Sequence, residues 1–132
     1  MTWNEARNLI ENSIVEEIKL DYNSQYRKVV RAQGFLCNRY DYNGSPGYKV
    51  QIGKRSFIEI PFTMLQNVFE EAVSADGVYN KNIFRIHYPT RAERKVGHPC
   101  HVHVVGKIFE KAGVALPIDS KNYRIVDKKK PR

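Results

Sequence analysis

The chain holds no apolar run near the 18 or so residues that a membrane-spanning helix needs. Only Cys37 and Cys100 are present, 63 positions apart, too few for a disulfide scaffold and read most simply as two free thiols. No stretch repeats, and there is a single Trp. The first residues, MTWNEARNLIENS, are polar and partly acidic, unlike a secretory leader, so a cytoplasmic location is expected. No membrane partner and no cofactor are expected.

What remains is an ordinary mixture, 42% apolar and 27% charged over 132 residues, sized for one domain with its own core. We expect a globular domain over 1–126 and a mobile basic tail over 127–132. The +8 net charge is segregated. Residues 1–77 carry 9 Lys/Arg against 10 Asp/Glu, and residues 78–132 carry 13 against 4. A basic region set apart in this way is the electrostatic footprint of a polyanion binder.

Periodicity divides the chain into elements. Thr2 and Glu5 have capping-box spacing. Trp3, Ala6, Leu9 or Ile10, Ile14 and Ile18 follow at helical period, predicting a helix to about residue 19. Residues 26–60 read as strands: YRKVVRAQ is ambiguous, GFLCNRYDY is β-leaning, and NGSPG is a turn cluster. YKVQI alternates strictly, and Gly53-Lys54-Arg55-Ser56 joins it to FIEIP as a hairpin with a basic tip. Pro61 opens a helix whose stripe is Phe62, Leu65, Val68, Phe69, Ala72 and Val73, stopped by Gly77. A short helix over 80–87 has Asn80 as cap, Ile83, Phe84 and His87 inward, and Pro89 as its close. The connection 90–98 is polar and carries Arg91, Arg94 and Lys95; ALPIDSKN is a loop and YRIV a short strand.

The stretch GHPCHVHVVG, 97–106, invites three readings. As a metal site it offers His98, Cys100, His101 and His103, with His87 to be recruited by folding. Neither a helix nor a strand turns all four of the clustered side chains to one point. As a second reading, Pro99–Gly106 resembles the histidine-triad motif, whose last histidine attacks an α-phosphate in nucleotidyl hydrolases and transferases. That resemblance would give His101 and His103 the second and third histidine positions, with Pro99 where the first should be. The third reading is a helix over 99–112. It places His98 at the cap and Cys100 in the first turn, where a thiol can be activated. His101, Val105, Ile108 or Phe109 and Ala112 form one face, and His103, Lys107, Glu110 and Lys111 the other, with Gly113 as stop. The helix accounts for more of the pattern.

The fold class that follows is α+β: an N-terminal helix, an antiparallel meander of three to four strands, a C-terminal three-helix unit and a final short strand. The helices 61–76, 80–87 and 99–112 resemble a helix-turn-helix or winged-helix unit, in which the last helix enters the major groove and a hairpin touches the backbone. The resemblance departs in a ten-residue connection before the last helix, and in a hairpin that precedes the helices, where a wing follows them. It implies nucleic-acid binding, with DNA favoured, by Lys54 and Arg55 at the hairpin tip, by Arg91, Arg94, Lys95, His103, Lys107 and Lys111, and by Lys128, Lys129 and Lys130 of the tail. Two other classes compete. One is an enzyme, using either residues 98–103 or a phosphodiester-cleaving set drawn from Asp41, Glu59, Lys49 and the Glu17-Ile18-Lys19 triplet. The other is a protein-interaction module using exposed tyrosines, with homodimerisation compatible with the sequence.

Overall fold

A computed structural model describes residues 1–22, 25–32, 34–92 and 100–126. The architecture is α+β. Helix α1, Trp3–Ser13, begins with the expected capping box: Glu5 N donates to Thr2 Oγ1 at 3.2 Å, and Thr2 N donates to Glu5 Oε1 at 2.8 Å. It ends six residues earlier than the periodicity suggests. β-branched Ile14 and Val15 favour extended backbone, and Ile18 is taken into a strand where it pairs across to Val29. Glu17, outside the helix, pairs with Lys28 at 2.6 Å.

The first sheet is antiparallel and joins β1 (Ile18–Lys19), β2 (Lys28–Arg31), β3 (Leu36–Cys37), β4 (Ser45–Gln51) and β5 (Phe57–Pro61). Its register lines up Ile18, Val29, Val50 and Ile58 across four strands, with Tyr48 opposite Ile60, so one face is continuous core. The β4–β5 hairpin is as expected, with Lys54 and Arg55 exposed at its tip. Two boundaries differ. GFLCNRYDY is strand only at Leu36–Cys37. Beyond it the backbone turns tightly, with positive φ at Tyr40, Asn43 and Gly44. The turn cluster NGSPG is split, because Ser45, Pro46 and Gly47 already belong to β4. Pro46 is tolerated there because it lies opposite the short edge strand β3.

The second half is built on α2 (Phe62–Ser74), β6 (Val78–Tyr79), α3 (Lys81–His87), the single-turn α4 (Pro89–Ala92), α5 (Cys100–Ala112), β7 (Ala115–Pro117) and β8 (Tyr123–Ile125). Gly77 and Gly113, at φ +80 and +77, supply the left-handed residues that stop α2 and α5. Phe62, Leu65, Val68, Phe69 and Ala72 are buried as predicted, along with Met64, while Val73 is exposed. Asn80 caps α3 through Ile83 N at 3.1 Å, and Ile83 and Phe84 face inward. His87 does not; it lies on the surface, 2.9 Å from Glu71. Pro89, expected to close that helix, opens α4, since a missing N–H is harmless in a first turn.

A second antiparallel sheet, in the order β6-β8-β7, closes behind α5. Its strand β7 falls in the segment expected to be loop. All the buried apolar residues, from Trp3 to Ile125, form one core. In it Phe109 of α5 meets Phe69 of α2 edge-on at 6.3 Å and Tyr79 of β6 at 5.6 Å. Helix α1 packs on both α5 and α2.

This core holds phenols that must stay neutral. Burial pushes Tyr42 and Tyr123 up from the ordinary 10.0 to about 12, and raises Tyr48 and Tyr79 too. Burial first, and then the Glu59 charge, push the Cys37 thiol from 9.0 to about 12. An unfolded chain releases those protons at the ordinary values. The stability they contribute is therefore complete below about pH 9 and is lost as pH climbs towards 12. We expect a cooperative alkaline transition in which phenolate absorbance and loss of far-ultraviolet dichroism coincide; titration of these tyrosines well before unfolding would contradict it.

Candidate nucleic-acid interface

Helix α5 sorts its side chains as periodicity requires. At about 100° per residue, His101, Val105, Phe109 and Ala112 share an arc, and Val102, Val104, Gly106 and Ile108 extend the buried part on both sides. The rest is a strip about 100° wide carrying His103, Lys107, Glu110 and Lys111. Lys107 Nζ lies 3.2 Å from Glu110 Oε1, so one of its cations is partly neutralised locally. Lys111 forms no ion pair among the described residues.

This geometry resolves GHPCHVHVVG. His101 is buried, 8% exposed, with its ring 6.4 Å from that of Tyr40, and His103 lies on the other side of the helix. A histidine-triad site needs these residues on a strand, and they are helical. Among the described residues no group of three or more His, Cys, Asp or Glu is arranged to hold a metal ion. His98, the expected cap, and Pro99 lie outside the described residues, as does the side chain of Cys100.

The hairpin β7–β8 adjoins this half-exposed strip. Gly106 faces Tyr123 so closely that a Cβ there would lie 2.4 Å from the ring's Cε1, well inside contact distance. Gly106 lies about 40° around α5 from Glu110 and about 60° from His103. Burial first, and then the nearby Glu110 and Asp21 charges, raise the Tyr123 pKa, while the Arg27 charge pulls it down. Tyr79 Oη donates to Val102 O at 2.7 Å and ties the sheet to the helix from beneath. On the hairpin, Lys121 and Arg124 are exposed and form no ion pair among the described residues. They are the cations that sequence reading missed. Tyr123, Arg124 and Ile125 alternate, and Leu116 and Ala115 alternate opposite them, but Pro117 disguises that strand as loop.

The other expected contacts are distributed differently. Lys54 and Arg55 lie in the turn between β4 and β5, on the hairpin of the first sheet. Arg91 turns into the protein. Its guanidinium stacks over Tyr40 at 4.3 Å and Tyr42 at 5.1 Å, and its Nε is buried, so it is not presented as a phosphate contact. Arg94, Lys95, Lys128, Lys129 and Lys130 lie outside the described residues.

The carboxylates of the enzyme reading have other work. Glu59 is only 7% exposed, and its Oε1 accepts from Asn38 N at 3.0 Å and Arg39 N at 2.7 Å. It thus anchors the loop that carries Tyr40 and Tyr42. Lys49 stands across from Glu59 in the register, with its ammonium 4.7 Å over the Phe57 ring, while Asp41 is exposed on the loop. A half-open cleft of about 330 Å³ between α1 and the first sheet is lined by Arg7, Glu11, Phe35, Tyr48 and Phe62. Its charges are already committed, Arg7 to Glu11 at 3.3 Å and to the Phe62 ring at 4.4 Å.

Compared with models of known families, with curated proteins and with solved structures, the chain matches none.

Proposed function

We propose that the protein binds double-stranded nucleic acid, DNA before RNA, through α5 and the hairpin β7–β8. The observation that carries this reading is the juxtaposition of the half-exposed α5 strip with a hairpin that follows it, with exposed Lys111, Lys121 and Arg124 forming no ion pair among the described residues. The order helix, strand, helix, single-turn helix, helix, hairpin from Phe62 to Ile125 resembles a winged-helix unit with α4 added, and a hairpin after the last helix is where a wing belongs. In this reading α5 lies along the major groove with His103, Lys107 and Lys111 towards the duplex, and the hairpin cations neutralise adjacent phosphates. An A-form RNA groove is too deep and narrow to admit α5, which favours DNA.

Fluorescence anisotropy of a labelled duplex, titrated at several salt concentrations and with chelator present, tests this. Log affinity should fall linearly with log salt, at a slope of about −0.9 per phosphate neutralised, and chelator should leave it unchanged. Absence of duplex binding, or affinity indifferent to salt, would overturn the reading.

A further inference from the structure

The tip of the second hairpin displays apolar side chains where a surface loop ordinarily hides them. Leu116 is 63% exposed and Ile118 52%, with exposed Pro117 between them. Alternation puts Leu116 and Ile118 on one face, and Leu116 stands directly opposite Arg124. The turn beneath them is held in one shape. Asp119 Oδ1 accepts from Lys121 N at 2.8 Å, Asn122 N at 2.9 Å and Asn122 Nδ2 at 3.0 Å, while Ile118 N donates to Asn122 O at 2.8 Å. Asn80 Nδ2 donates to Asn122 Oδ1 at 3.1 Å, fastening the turn to the residue that caps α3. The ordering cost of presenting Leu116 and Ile118 is therefore met before any partner arrives.

Building on the reading above, we infer that this hairpin is a wedge: Leu116 and Ile118 enter the minor groove, part-open a base step there, and bend the duplex. The surroundings fit a base step flanked by phosphates. Lys121 and Arg124 are exposed and form no ion pair among the described residues, and the turn's own carboxylate, Asp119, accepts from the turn's N–H groups, which hold its pKa down. The Glu110 and Asp21 charges act on Tyr123, whose side chain alternates to the face opposite Arg124. Pro117 removes an N–H from β7 and blunts it against pairing with another strand. Apolar side chains inserted between base steps kink a duplex by about 20–90° towards the major groove, and a hairpin beside a groove-bound helix is placed to do so.

The test is energy transfer between dyes at the two ends of a short duplex, measured with the full chain, alongside anisotropy. Wild type should shorten the end-to-end distance. Leu116→Ala/Ile118→Ala should abolish the shortening, with affinity lowered less than tenfold and the salt slope unchanged. A duplex bound without shortening overturns the wedge and leaves the binding reading standing; no duplex binding overturns both. Wild-type self-association that the same double variant dissolves, seen by sedimentation, would also overturn the wedge and make the tip a contact between copies of the chain.

Discussion

Phe109→Ala should cost about 3–5 kcal/mol of folding free energy, against a total of about 5–15 kcal/mol for a domain. The side chain is fully buried and is the common neighbour of Phe69 and Tyr79, so it joins α5 to α2 and to β6 at once. Truncation removes the apolar transfer term and leaves a cavity among rings that cannot collapse into it, because each is held by its own element. Phe109→Leu should recover most of the loss. Urea unfolding followed by dichroism measures both. A cost for the alanine below about 1 kcal/mol would mean that α5 is not anchored by this cluster, and that the surface it shares with the hairpin is not fixed.

Replacing Lys111, Lys121 and Arg124 together by alanine should weaken duplex binding several-hundred-fold in about 0.1 M salt. Each phosphate contact contributes a slope of about −0.9, so at that concentration it is worth roughly eightfold through counterion release. Three contacts multiply to that figure, and the slope itself should become shallower by about 3 units. Thermal unfolding should hardly move, since all three side chains are exposed and form no ion pair among the described residues. The salt slope separates this outcome from general damage. Affinity lost with an unchanged slope would mean that the cations do not touch phosphate.

Much of this arrangement was legible wherever period and capping agreed. Thr2 and Glu5 located one helix start, Asn80 another, and the spacing of His101, Val105 and Ala112 against His103, Lys107 and Lys111 separated the two faces of α5. The pattern misled where two periods coexist. Ile14 and Ile18 continue the helical stripe of α1, yet Ile18 is equally placed to face Val29 in a sheet, and pairing with a strand ten residues on settles it. Short strands are harder still. Val78–Tyr79 and Ala115–Pro117 exist because they pair with Tyr123–Ile125, and no local preference of two or three residues announces that. The proposed interface inherits this difficulty. Its helix half is local and readable, while its hairpin half sits in a sheet that pairs Tyr123 and Arg124 with Tyr79 and Val78, far back in the chain.

The packing of α1 on α5 has a consequence for how the protein is made. Helix α1 finds part of its seat on α2, where Trp3 meets Phe69 at 5.8 Å, and the rest on α5, so its burial is complete only after synthesis has passed Ala112, about 5–20 s later at ordinary elongation rates. Until then a nascent chain holds an amphipathic helix that is only partly docked. Its burial joins elements far apart in sequence into one cooperative unit.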